Sequence, residues 1–257
     1  SSRPRFSTAA SAATCGKIGR PMNTAALTKK NHTGGIFYTC YEDLRAEAAW
    51  TVHIREVVDE WIKKGEDVTL FIPKTYPFTR PPRCRIVCVP TIDIRFIREY
   101  LYLFLLPLYV LGHGIKRRPR AVYSREMALM SGVALACALL GIPLIMEING
   151  SMLLEHAMGG TSRVKIIILR ALQHFNLRVV KHLVFVNAEL VDMFQKTYRL
   201  KDKSIHVVTN GVNTELFSPK DRTTAIEGLG LNPHTQYITF VGSFYPHSHT
   251  PLIIHAA

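Results

Sequence analysis

Four polar stretches in this chain sit directly after runs of Val, Ile and Leu, where a buried strand would meet solvent. Arg125-Glu126 closes "AVYSRE", Asn149-Gly150 closes "PLIMEING", and Asn210-Gly211 with Asn213 closes "SIHVVTNGVN". The fourth, "YED" at 41–43, leads through Ala46-Glu47-Ala48-Ala49 to Trp50 and Thr51, and its small residues would let backbone approach a ligand. An asparagine such as Asn210 offers both a donor and an acceptor. Gly211 would allow a positive φ and close contact with a ligand. Further on, Val241-Gly242-Ser243 has the form of a strand-to-helix turn, whose amides suit an anion. Each stretch alone also reads as ordinary turn chemistry, and Arg125 with Glu126 also reads as a salt-bridged strand end. Their convergence on one sheet edge is what argues for a cleft.

Metal and thiol chemistry find less support. His247 and His249 form only an H-x-H pair in a Pro-flanked loop, and no metal centre is expected. Cys84 and Cys88 share a strand face and read as packing residues. The five cysteines contain no CxxC pair, and an odd, sparse set fits a reducing compartment, hence the cytoplasm. His53 reads as a helix-surface or packing residue near the first loop rather than as a base.

The elements that must position these residues follow from periodicity. "GGIFYT" is a first strand, and Ile54, Val57, Val58, Trp61 and Ile62 mark one face of a helix. Asp59 with Lys63 and Glu60 with Lys64 are spaced to pair on its other face. Gly65 stops the helix and "DVTLFIP" follows as a strand. Further strands are expected at 83–90, 121–126, 143–150, 182–189 and 204–208, and helices at 92–111, 127–140, 162–180 and 190–198. The strands lack polar alternation, as when helices cover both faces of a parallel sheet. The fold class is α/β, a doubly wound, Rossmann-like parallel sheet, whose ligands sit outside the carboxyl strand ends. Residues 218–236 have linker composition, and "YITFV" opens a second domain with a helix start in "TPLIIHAA". The expected organisation is a disordered basic leader (1–34), one domain (35–217), a linker (218–236) and a truncated second Rossmann-like domain (237–257).

From Gly35 to Ala257 the chain resembles the family-4 glycosyltransferases of GT-B fold. "SIHVVTNGVNTELFSP" is similar to the segment that ends that family's N-terminal domain, and "YITFVGSF…LIIHAA" to the start of its donor-binding domain. "AWTVHIREVVDEWIKKGEDVTLFIP", "AVYSRE" and "GIPLIMEING" match further pieces in the same order. Asn213 stands where the family usually has Asp, the first loop lacks the usual Gly-Gly, and the paired-glutamate donor motif would fall beyond Ala257. The resemblance implies transfer of a sugar from a nucleotide-sugar donor, usually with retention and without a metal, to a glycan or lipid-linked acceptor. It places Ala49, Trp50, Thr51, Arg125, Glu126, Asn149, Gly150, Asn210, Gly211 and Asn213 at the cleft, and Gly242 and Ser243 at the donor phosphates. No catalytic residue is assigned, and the fragment is expected to be inactive alone. A non-catalytic nucleotide- or sugar-binding module and a sugar-nucleotide epimerase are the alternatives.

The net charge is +13, six of it from Arg3, Arg5, Lys17, Arg20, Lys29 and Lys30 in an acid-free leader. Residues 100–125 and 156–188 are also basic and free of acids. In the second of these, Val164, Ile167, Ile168, Ala171, Leu172 and Phe175 form an apolar stripe beside the bases. Such a stripe either packs on the sheet or meets an anionic membrane face as a peripheral contact. Nucleic acid is not expected, because no nucleic-acid motif is present. The longest apolar runs, 100–111 and 133–146, fall short of the roughly 20 residues that cross a bilayer.

Overall fold

A computed structural model describes residues 34–45, 48–75, 82–94 and 97–241. The leader up to residue 33, Gly242 with Ser243, the H-x-H pair and the helix start after Thr250 lie outside the described residues. The first strand is Gly34–Thr39, the expected "GGIFYT", and so begins one residue ahead of the domain boundary expected at 35.

The chain alternates strand and helix through β1 (Gly34–Thr39), α1 (Ala49–Lys63), β2 (Val68–Pro73), β3 (Arg85–Val89), α2 (Ile97–Arg117) and β4 (Pro119–Arg125). It continues through α3 (Met130–Leu140), β5 (Leu144–Ile148), α4 (Met152–Met158), α5 (Arg163–Val179), β6 (His182–Phe185), α6 (Ala188–Thr197), β7 (Ser204–Val207) and α7 (Arg222–Gly228). All pairings in the sheet are parallel, and the strand order is β3-β2-β1-β4-β5-β6-β7. This is the doubly wound α/β sheet that the alternation predicts.

Two apolar cores lie on the two faces. One gathers Tyr38, Cys40, Leu70 and Ile72 under Ile54 and Val58 of α1. The other gathers Phe37, Phe71, Val122, Met146 and Ile148 with residues of α2, α3, α5 and α6. Because strand side chains alternate between faces, Tyr38, Tyr123, Arg125 and Glu147 share the α1 face. Tyr102 of α2 pins the carboxyl ends of two strands, its hydroxyl donating to Cys40 O at 2.7 Å and Phe71 O at 3.0 Å. Helices α2 and α3 pack closely because Gly132 has no Cβ, which would stand 2.7 Å from Pro107 Cγ.

Several local expectations differ from the structure. Lys63 pairs with Glu60 at i, i+3 rather than with Asp59, an exposed contact of little energetic weight. The second helix runs to Arg117 instead of stopping near residue 111, since Pro107 is accommodated within it. Helix α4 was not expected; Ser151 caps it, accepting from Leu154 N. The stretch read as linker contains α7, capped by Asp221. Residues 237–241 form no strand, and Ile238 and Val241 are exposed. A strand needs a neighbouring ladder, and no described strand pairs with this segment.

Candidate functional site

The chain leaves β1 towards β2 and β3 on one side and resumes at β4 towards β7 on the other. The order therefore reverses between β1 and β4, and a crevice opens outside the carboxyl ends of such strands. Register brings Arg125 of β4 beside Glu147 of β5, and Tyr38 of β1 beside Tyr123 of β4.

Glu147 is the hub of this edge. Its side chain is only 3% exposed, which demands partners for a carboxylate. His53, reaching over from α1, places Nε2 2.6 Å from Oε1. Tyr38 donates its hydroxyl to Oε2 at 3.5 Å, and Tyr123 and Asn149 lie close enough to act on the same carboxylate. Burial pushes the Glu147 pKa up. The His53 hydrogen bond and charge, the Arg125 charge and the Asn149 side chain outweigh it, so the carboxyl stands below its ordinary value. Burial raises the phenols of Tyr38 and Tyr123, which remain protonated donors.

Arg125 forms the second part. Its Nε lies 2.6 Å from Glu42 Oε1 in the loop after β1. Burial disfavours the guanidinium charge, but Glu42 and the neighbouring acidic groups more than compensate, and its pKa stands above the ordinary value. The buried Nη1 has no hydrogen-bond partner, so the group keeps donor capacity. The result is a fixed set of two carboxylates, one guanidinium, one imidazole and two phenols. It can orient hydroxyl groups of a ligand through fixed donors and acceptors.

The first loop is held to α1 by Trp50, whose Nε1 donates to Asp43 O at 3.1 Å, and by Thr51 Oγ1 to the same carbonyl at 3.5 Å. Ala49, in the first turn, is exposed. The cap residue Ala48 brings no side-chain acceptor to this turn.

The remaining expected residues divide. Asn149 joins the hub, and Gly150 lies beside α4, where a Cβ would stand 2.5 Å from Glu155 Oε1. Glu126 turns towards α5 instead: Gln173 Nε2 donates to its Oε1 at 2.7 Å, and Tyr198 donates to Gln173 Oε1 at 2.5 Å. Burial pushes the Glu126 pKa up to about 7. Asn210, Gly211 and Asn213 are exposed beyond β7. Gly211 is not among the positive-φ glycines, so the conformational reason expected for it does not apply. Asn213 Oδ1 accepts from Glu215 N and Leu216 N, the work of a turn residue. Phe217, just beyond this turn, is exposed as well.

The sequence reading singled out the stretch that holds Glu42 without giving that residue a role, left Glu147 and Tyr38 out of the candidate residues, and read His53 as a surface or packing residue. The available signal was a carboxylate inside an otherwise apolar strand, "LIMEI". Among the described residues no group of three or more His, Cys, Asp and Glu side chains could hold a metal ion.

A family model described as Glycosyltransferase Family 4 matches residues 51–216. Among solved structures, sucrose-phosphate synthase from Thermosynechococcus elongatus matches at TM-score 0.55 and 14% identity, over 77% of this chain and 52% of that one. UGT2 of Phytolacca americana, complexed with UDP-2fluoro-glucose and pterostilbene, matches at 0.49 and 9%, over 70% and 55%. HepE of Anabaena in complex with UDP-glucose matches at 0.47 and 12%, over 76% and 49%. These likenesses concern the fold. The chain spans about half the length of the solved structures it matches. No curated protein matches it.

Proposed function

The chain belongs to glycosyltransferase family 4, and on that premise we propose that its β1/β4 sheet edge is the acceptor-side wall of a glycosyl-transfer cleft. The observation that carries this reading is the network of buried Glu147 with partly buried His53, Arg125 and Glu42 at the switch point of the sheet. A structural sheet end needs no such investment, because burying charge costs several kcal/mol per ion unless each is well paired.

In this reaction the bond between the anomeric carbon and a phosphate oxygen of a nucleotide sugar breaks. The electron pair leaves with the nucleoside diphosphate, and an acceptor hydroxyl oxygen forms the new bond while its proton passes to the departing diphosphate oxygen. Arg125 and Asn149 orient acceptor hydroxyls, and His53, oriented by Glu147, accepts a hydrogen bond from one of them. Charge on the leaving phosphates is met by fixed amides and cations rather than by a metal ion or other cofactor. Gly242 and Ser243 are the proposed contacts there. The stereochemical reading is retention, the donor a nucleotide sugar, the acceptor a glycan or lipid-linked sugar, and the compartment the cytoplasm.

A second reading, a sugar-binding module without turnover, rests on the same network, which would orient hydroxyl groups whether or not a bond is broken. Both readings predict that residues 1–257 bind an alkyl glucoside at the network yet form no product with UDP-glucose. Steady product formation by the purified chain overturns the one-wall reading. Absence of glucoside binding overturns the acceptor assignment.

A further inference from the structure

Helix α5 is inverted with respect to polarity. Its buried positions are Leu169, Gln173, Asn176 and Leu177. The two amides are satisfied inside: Asn176 accepts from Ser131 N and donates to Met127 O and Ala128 O, and Gln173 bridges Glu126 and Tyr198. On the outer side Val164, Ile167, Ile168 and Phe175 are 68%, 65%, 54% and 52% exposed. At 3.6 residues per turn these four centre opposite the buried face. The expectation that the stripe packs on the sheet is therefore not met. Helix α4, which packs on α5, adds exposed Leu154 and Met158.

An exposed apolar face of this kind marks an interaction site, and its charge identifies the partner. Arg163, Arg170 and Arg178 lie along one flank of the stripe, and none has a carboxylate partner among the described residues. Apolar groups flanked by unpaired cations match the layered chemistry of an anionic bilayer surface, acyl chains below and phosphates at the rim. No helix among the described residues is long and apolar enough to cross a membrane, so the contact is made from one side.

We propose that the outer face of α5, extended by Leu154 and Met158 of α4, docks on an anionic lipid surface, burying Val164, Ile167, Ile168 and Phe175 among acyl chains while Arg163, Arg170 and Arg178 meet lipid phosphates. The surface serves the proposed transferase by holding it where lipid-linked acceptors reside. Its test reads no turnover, so failure of one reading is separable from failure of the other.

The experiment is co-sedimentation of the full chain with phosphatidylcholine vesicles, with and without about one third phosphatidylglycerol. Circular dichroism checks the fold of each variant, and light scattering checks its size. The chain is expected to bind the anionic vesicles only. Ile167→Glu with Phe175→Glu abolishes binding, and each of Arg163→Gln, Arg170→Gln and Arg178→Gln weakens it roughly five-fold. The substituted side chains are exposed, so the variants stay folded. Binding that survives Ile167→Glu with Phe175→Glu, as attachment through the basic leader would, overturns the proposal. So does absence of vesicle binding by folded wild-type chain. A concentration-dependent dimer lost in the same variants, without vesicle binding, assigns the face to self-association and equally overturns it.

Discussion

His53 Nε2 on α1 lies 2.6 Å from Glu147 Oε1 on β5, joining the first helix to a strand two places away in the sheet from the strand it follows. The pair works in both directions. Glu147 stays ionised in a dry place because His53 and Arg125 face it, and His53 is held at the cleft edge because Glu147 cannot move.

Glu147→Gln keeps the shape and removes the charge. At pH 7 a loss of up to about 3–5 kcal/mol is expected, the range for removing one partner of a fully buried pair. Since the folded pKa is lowered, this contribution is complete above the unfolded carboxylate value and disappears as pH falls through the folded one. Urea midpoints of wild type and variant should therefore differ at neutral pH and converge below about pH 4. A gap that persists in acid would assign the loss to packing.

Glu126 behaves oppositely. Its folded pKa of about 7 lies above the unfolded value, so the folded state holds an extra proton between roughly pH 4.5 and 7. Stability contributed by that proton is complete below about pH 4.5 and is lost as pH rises through 7. Glu126→Gln should be more stable than wild type at pH 8, by about 1–3 kcal/mol, and equal to it near pH 4. Melts across this range decide it; a variant less stable at pH 8 would contradict the assignment.

Tyr102→Phe removes a hydroxyl that serves two strand-end carbonyls. Phe71 O keeps Cys40 N as a donor, whereas Cys40 O loses the Tyr102 hydroxyl, and the variant should cost about 1–3 kcal/mol, read from denaturant midpoints. Because those carbonyls belong to Cys40, just after β1, and to Phe71, near the end of β2, faster amide exchange should be confined to that edge.

Gly35→Ala should fail to fold. A Cβ there would stand 1.6 Å from Asp67 O, and β1 would have to leave the loop before β2. Gly141→Ala, at φ +68° beyond α3, should cost only about 1 kcal/mol, because it meets open space and strained backbone alone. Comparable losses at the two glycines would contradict this packing.

Much of the architecture was legible because it is local. The i, i+3, i+4 spacing of Ile54, Val57, Val58, Trp61 and Ile62 and the apolar run Val68–Pro73 suffice for α1 and β2. Pairing is not local: that Arg125 meets Glu147 depends on register between strands separated by α3. For that reason the sequence reading settled on the turn residues Asn149 and Gly150 and passed over the carboxylate two positions earlier. The same limit applies to α5. Its apolar stripe is plain in the sequence, but its direction was decided by Gln173 and Asn176, whose partners lie on other elements. Asn213 was legible as a special residue, and its work is local, the closing of a turn.

The most direct test of the central claim follows the His53 imidazole by NMR while an alkyl glucoside is titrated into the folded chain. If the β1/β4 edge is an acceptor wall, the His53 ring resonances shift and saturate, together with the Asn149 side-chain amide. Arg125→Met, which removes the guanidinium donor and one of the charges facing Glu147, weakens that binding about ten-fold or more. If His53 and Asn149 stay unperturbed while glucoside binds elsewhere, or if no glucoside binds at all, the network is a structural support of the sheet and the acceptor assignment is wrong.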